Sequence, residues 1–321
     1  MAKIVFWGAG ERLKEFFAYF DNHRDYIRDE FLYIVDSDKA KHKAVINGLE
    51  VYGPKKLKDS DFDLLIITPI HYKDLIRSFS KMEINVVHML LDDYWAHIIA
   101  DNQCSFFKRQ EVRKDIDCSC IEIVIYTAIS KGYDELKKPK IIMPNAKYVC
   151  FTDDESIKSD VWEIRHVDFG QDRQRGIRKY KILPHMFFAE ELLSVWVDGN
   201  ITIESDVTEY INKYFNNDGI LLFCHPERVN LFEEAEICID YHKDNKSLIK
   251  DQIKTYEYEA LVNAGLFCGG VIVRNHHKKK VVDAMELWWE QVSKYSFRDQ
   301  ISLPYVLYKT GLKPDLSLEY I

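Results

Sequence analysis

No two cysteines in this sequence stand at Cys-x-x-Cys spacing, and the one close pair, Cys118-Ser119-Cys120, is too tight for the usual zinc arrangement. The cysteines number seven, which is odd, so reduced thiols in a cytoplasmic compartment are the simplest expectation. Long apolar runs are missing as well. No stretch approaches the roughly 20 residues that a membrane-spanning helix needs. The first apolar run, Ile4-Val5-Phe6-Trp7, is too short for a signal peptide. A surplus of positive charge is also lacking, because 44 Lys and Arg face 52 Asp and Glu and leave a net charge of −8. Such a chain is a poor non-specific binder of nucleic acid, so an anionic ligand must meet a local basic cluster. Internal repeats and low-complexity tracts are not evident.

What is present is a chain of 321 residues, 47% of them hydrophobic, enough to build a full core in two domains. The opening run, Ile4-Val5-Phe6-Trp7, reads as a buried strand. It leads through Gly8-Ala9-Gly10 into a helix with Leu13, Phe16, Phe17 and Phe20 at helical spacing. Further strands follow at Phe31–Val35, ending in Asp36, at Leu64–Ile67, and at Asn85–His88, with a helix over Leu75, Ile76 and Phe79 between the last two. Strands alternating with helices predict an α/β fold with a parallel, Rossmann-like sheet over residues 1–100. Gly8 and Gly10 match the first two glycines of a dinucleotide fingerprint, and Asp36 ends the second strand, where a ribose-binding acid would sit. Leu13 stands where the third glycine belongs, so no NAD is expected; the glycines alone also suit a simple turn. This stretch resembles the half-Rossmann domain that precedes some bacterial sugar-modifying enzymes. Residues 92–120 are polar and mixed in charge, and 101–120 read as a connector.

The second domain, residues 121–321, is also α/β. Strands are predicted at Ile121–Tyr126, Lys147–Phe151, Trp162–Ile164, Ser194–Asp198, Gly219–Cys224 and Gly269–Arg274. Helices are expected over Tyr241–Ala264 and Val281–Val292. A basic segment, Arg173 to Lys181, places Arg178 and Lys181 on one helical face, and Leu183-Pro184-His185 ends or kinks that helix. The apolar run Ser194-Val195-Trp196-Val197 ends in Asp198-Gly199-Asn200. A strand can deliver a charged and a neutral oxygen ligand to one rim in this way, since alternate residues face alike, and a divalent ion prefers such hard ligands. Asp153-Asp154 alone would suit a helix cap or turn. His276-His277 before Lys278-Lys279-Lys280 reads as an exposed loop, and Trp288-Trp289 as core.

Taken in order, several blocks form a series. They are Tyr126-Thr127-Ala128-Ile129, Phe151-Thr152-Asp153-Asp154, Arg178 to His185, Trp196 to Asn200, His225-Pro226-Glu227-Arg228, Val273-Arg274-Asn275-His276, Trp288-Trp289, and Arg298-Asp299-Gln300-Ile301-Ser302. The series resembles the glycosyltransferase-like domain family of the TOD/MUCI type, first catalogued as a domain of unknown function. The likeness covers roughly residues 121–310. It implies an A-type glycosyltransferase fold with a mixed sheet. It implies donor-binding roles for Thr127, Ala128, Asp153, Asp154, Arg178, Lys181, Asn200, His225, Arg228, Arg298 and Gln300. A divalent Mn or Mg ion would sit at Asp198 and Asn200, with His225 or His276 as a further ligand. Wider relatives carry an acid where Asn200 stands, which implies a weaker ion site. Asp299 would bind sugar hydroxyls or act as general base, so Asp198 and Asp299 are the expected catalytic residues.

The resulting expectation is a cytoplasmic glycosyltransferase. It takes a nucleotide-diphosphate sugar, with UDP as carrier, and serves a glycan or surface-polysaccharide acceptor, assisted by metal. An oligomer stays open. The alternative is a non-catalytic nucleotide-sugar sensor or scaffold. An oxidoreductase led by the first domain and a metal-assisted hydrolase are further alternatives.

Overall fold

The computed structural model describes residues 1–21, 23–59, 61–79, 86–106, 121–215, 219–256, 258–261 and 264–317. The chain divides into two units, Met1–Asn102 and Gln103–Ile321.

In the first unit the elements are β1 (Lys3–Trp7), α1 (Glu11–Asp21), β2 (Glu30–Val35), β3 (Val45–Ile46), β4 (Leu49–Tyr52), β5 (Leu64–Ile67), α2 (Lys73–Phe79), β6 (His88–Leu90) and α3 (Leu91–Phe106). The six strands lie in the order β3-β4-β2-β1-β5-β6 and are parallel except for the β3–β4 hairpin. β1 is central, and its four apolar residues are buried, as a strand covered on both faces requires. Leu13, Phe16, Phe17 and Phe20 of α1 are buried as their spacing predicts, and the Phe6 ring meets those of Phe16, Phe17 and Phe31. Two features differ from expectation. The β3–β4 hairpin turns on Asn47-Gly48, both with positive φ, the backbone that a two-residue hairpin turn needs. The first part of the polar 92–120 stretch belongs to α3 (Leu91–Phe106), which buries Leu91, Tyr94, Ile98 and Ile99 on one side. The rest of that stretch, 107–120, lies outside the described residues, as does Asn85 of the expected fourth strand.

The second unit contains β7 (Ile123–Ile129), β8 (Ala146–Thr152), β9 (Glu163–His166), α4 (Arg173–Ile182), β10 (Leu193–Val197), α5 (Val207–Tyr214), β11 (Ile220–Cys224), α6 (Leu231–Asp240), α7 (Lys246–Lys254), α8 (Tyr258–Leu261), β12 (Phe267–Arg274), α9 (Lys279–Lys294), α10 (Asp299–Thr310) and β13 (Asp315–Ser317). One sheet runs β13-β11-β12-β10-β7-β8-β9. It is mixed: β9, β8, β7 and β10 are parallel, while β12 runs against both β10 and β11. The pleat sorts the core. Val124, Tyr126 and Trp196 pack on one face with α4, α9 and α10. Ile123, Ile125 and Val195 pack on the other with α5. α6 has ended at Asp240, and in place of the single helix expected over Tyr241–Ala264 the chain forms α7 and then α8. Asn245 breaks it by accepting the backbone N–H groups of Ser247 and Leu248, which caps α7.

Candidate active site

Three elements and one strand end converge at a cavity of about 290 Å³. α4 begins where Asp172 accepts the N–H of Arg175 and stops before Pro184. Its face carries Arg178 and Lys181 inward. β10 delivers Asp198, whose backbone N–H donates to the Gly270 carbonyl of β12 at 2.8 Å. The Trp196 indole N–H fixes the carboxylate, donating to Asp198 Oδ1 at 2.6 Å. α10 opens with Asp299, and Trp288 of α9 donates its indole N–H to the Asp299 carbonyl at 3.0 Å. Of the expected residues, Arg178, Lys181, Asp198, Asn200, Arg298, Asp299 and Gln300 all line this cavity.

Lys181 stands in its wall. Its ammonium lies 2.5 Å from Asp299 Oδ2 and 3.6 Å from Asp198 Oδ1, with the Trp196 ring centroid 5.8 Å away. The first contact is an ion pair without hydrogen-bond alignment. The charge can be buried because two carboxylates surround it. Gly269 of β12 makes the room, since a Cβ there would stand 2.7 Å from Lys181 Nζ. Burial alone would raise the Asp299 carboxyl, but Lys181, Arg178 and Arg298 outweigh it and hold it down at about 2. Arg298 also faces Glu234 at 3.7 Å; burial would lower its proton affinity, and Asp299, Cys238 and Glu234 raise it instead. The Nε–H groups of both Arg178 and Arg298 are buried without a hydrogen-bond partner. An unmet buried donor is costly, and two of them on cations beside one cavity suit an anionic ligand.

Behind the cavity lies a residue to which the sequence reading gave no role. Arg274, at the end of β12, is fully buried and donates to the Lys181 carbonyl at 2.7 Å and the Tyr126 hydroxyl at 2.5 Å. A longer contact, 3.4 Å, reaches the Ile182 carbonyl, and Tyr126 donates to the Lys181 carbonyl at 3.0 Å. A cation at the carbonyl end of a helix is favourably placed. It fixes the last turn of α4, which carries Lys181.

Residues 96–320 match the family described as TOD1/MUCI70, glycosyltransferase-like domain. The chain belongs to this family. Residues 1–90 match a second family, C2185-like, N-terminal. The chain is 25% identical over 225 residues to "Probable hexosyltransferase MUCI70" of Arabidopsis thaliana, covering 60% of this chain and 38% of that protein. It thus spans about two fifths of that relative's length. A solved structure, UDP-D-quinovosamine 4-dehydrogenase from Vibrio fischeri, is similar at 22% identity over 29% of this chain and 81% of that one, with a TM-score of 0.22, too slight to bear an argument.

The other expected residues lie outside the cavity lining. Thr127 and Ala128 are buried at the end of β7, and the Thr127 hydroxyl has no hydrogen-bond partner. Asp153 accepts the Lys131 N–H at 2.6 Å and pairs with Arg173 at 3.1 Å. Asp154 accepts from the Ser156 backbone and hydroxyl, the local turn its sequence allowed. Both follow β8, parallel to β7 and β10, so they share the strand-end edge with Asp198. Asp134, after β7, had no role in the sequence reading. Burial and the nearby Asp198 charge push its carboxyl up.

His225 and His276 stand apart from the cavity. His225 Nδ1 faces the N–H groups of Glu227 and Arg228, and its Nε2 faces Arg228 Nη2 at 2.8 Å. Burial first, then Arg228 and Lys243, pushes it down to about 3. Arg228 in turn donates to buried Glu234 at 2.8 Å, the carboxylate that also faces Arg298. His276, read as exposed, is fully buried, with Nε2 3.1 Å from the Phe188 carbonyl. Burial pushes it down to about 4. Among the described residues, no group of three His, Cys, Asp or Glu gathers to hold a metal ion. An ion at Asp198 would find Oδ1 already engaged by Trp196 and a fixed ammonium beside it, so these residues fit a resident divalent ion poorly.

In the first unit, Asp36 reaches the loop that holds Gly8 and Gly10 through Ala9 between them. Asp36 accepts the Ala9 N–H and the Asp38 N–H, each at 2.8 Å, and Lys41 Nζ at 3.0 Å. Burial would raise this carboxyl; the amides of Asp38 and Ala9, with Lys41, lower it on balance. The loop amide that would meet a phosphate is therefore already satisfied by the chain's own carboxylate. Among the described residues no helix is long and apolar enough to cross a membrane.

Proposed function

We propose that this chain transfers a sugar from a nucleotide-diphosphate donor, with UDP as carrier, to a glycan or surface-polysaccharide acceptor. The observation that carries the reading is the pair of orphan guanidinium N–H donors, on Arg178 and Arg298, beside Lys181 at one cavity. As the bond from the sugar to the diphosphate breaks, negative charge grows on the leaving phosphate. Fixed cations aimed there stabilise that charge with little reorganisation. Arginine suits the planar, two-point contact with phosphate oxygens, and lysine supplies a point charge. Asp299, held down at about 2, stays ionised and is a weak proton acceptor near neutral pH. Its role is to anchor Lys181 and accept hydrogen bonds from sugar hydroxyls. Asp198, 40% exposed, is the carboxylate that an acceptor hydroxyl can reach.

A panel of UDP-, GDP- and ADP-sugars tests the reading by thermal shift and by release of nucleotide with and without glycan acceptors. A ligand that binds only the folded form raises the melting temperature. A UDP-sugar should do so, and an acceptor should speed UDP release. No stabilisation by any donor would remove the basis for the reading. The second reading is a nucleotide-sugar sensor, favoured by neutral Asn200 at the second acid position; stabilisation without turnover on any acceptor would select it.

A further inference from the structure

We propose that the ammonium of Lys181 does here what a divalent cation would do, so that a nucleoside diphosphate binds this cavity without metal. The inference rests on the nucleotide-sugar reading and deepens it. A magnesium-like ion bound through one or two carboxylates completes its shell with water and phosphate oxygens. One oxygen of each of the two carboxylates at this cavity is already engaged. Asp299 Oδ2 is 2.5 Å from Lys181, and Asp198 Oδ1 receives the Trp196 indole N–H at 2.6 Å with Lys181 at 3.6 Å. The position between the two acids, where a bridging ion would neutralise both, is filled by nitrogen. Asn200 adds no charge.

That nitrogen is held in place. Lys181 is 3% exposed, its backbone carbonyl is gripped by Arg274 and Tyr126, and Gly269 leaves space for the ammonium and no more. A divalent charge beside a fixed monovalent one would be repelled, and more strongly in a cavity than in open water. The work of binding a diphosphate is then shared. Lys181 offsets the acids at the cavity wall, while Arg178 and Arg298 line the same cavity with buried Nε–H groups that have no partner and that a small turn of each guanidinium would bring to phosphate oxygens. Cationic side chains can supply this charge as a metal does, with directed hydrogen bonds in addition.

Calorimetry of the full chain with UDP, GDP and ADP, once in EDTA and once in manganese, tests the inference. The expected result is one nucleotide, UDP, binding with affinities that agree within about twofold in the two buffers. Lys181→Met should weaken it at least tenfold in both. That variant can fail to fold, so Asp198→Asn is measured beside it. Removing a negative charge that is not a metal ligand should tighten UDP several-fold. Binding that appears only with manganese, or that Asp198→Asn abolishes, overturns the inference and leaves the nucleotide-sugar reading standing. No binding of any of the three nucleotides in either buffer overturns both.

Discussion

Arg274→Met removes a fully buried cation whose partners are carbonyl and hydroxyl oxygens. Replacing a buried charge by an apolar side chain of similar volume often leaves a fold intact. The last turn of α4, however, loses the donor that holds the Lys181 carbonyl. We expect UDP affinity to fall about tenfold, roughly 1.4 kcal/mol, in a protein that still melts cooperatively. Arg274→Lys, with one compact ammonium in place of a planar fork, should not restore it. A folded Arg274→Met protein that binds UDP as wild type does would show that Arg274 is structural only. At this scale the sequence was most informative where a family resemblance tied distant blocks together. Arg178, Lys181, Asp198 and Asp299 were picked out from positions up to 121 residues apart and line one cavity. Arg274 and Tyr126 stood in the same blocks without a role. Their partners are backbone carbonyls of another element, and no residue spacing encodes those. His276 was misread for a related reason: a histidine beside lysines reads as surface, while its ring packs against Phe188.

Among the elements, β12 is the one on which a small change should act most selectively. Gly269→Ala alters no charge, but its methyl would meet Lys181 Nζ at 2.7 Å and come within 3.5 Å of Asp299 Oδ2. The ammonium must shift away from between the two acids. UDP binding should weaken by an order of magnitude or more, about 1.4 kcal/mol or above, with a smaller loss of thermal stability, since the atom displaced is the tip of a long side chain. Equal affinity in Gly269→Ala and wild type would mean that the ammonium position does not matter. Buried strands and amphipathic helices were legible because each carries its own periodicity. The helix α3, which takes up the start of the stretch read as polar, carries the signal too, in Leu91, Tyr94 and Ile98, diluted by charged neighbours on the outer face. The β3–β4 hairpin was announced by Asn47-Gly48 between two short runs, a cue that the α/β alternation obscured. The split of the expected 241–264 helix turned on a single capping side chain, Asn245.

For the molecule as a whole, the buried histidines should set the acid limb of stability. The ordinary value for both is 6.5; folding lowers His225 to about 3 and His276 to about 4. Arg228 and Lys243 face the first; His277, Arg274 and Glu191 act on the second. Between these values the unfolded chain binds protons that the folded one refuses, so stability falls as pH drops from about 6.5 and levels off near 3. At pH 5 the loss is of the order of 2 kcal/mol per histidine. Asp299 acts in the same direction but later. Its folded value of about 2 lies below the ordinary 3.8, so its contribution is full above about 4 and is lost only as pH falls toward 2. Urea unfolding at pH 7 and pH 5 checks this, and indistinguishable midpoints would contradict it.

The most direct measurement is a crystal structure of the protein grown or soaked with UDP. The diphosphate should lie in the cavity between α4 and the start of α10, its oxygens within hydrogen-bonding distance of Arg178 and Arg298 and beside the Lys181 ammonium. UDP bound elsewhere on the chain, with the Nε–H groups of Arg178 and Arg298 still without a partner, would contradict the account.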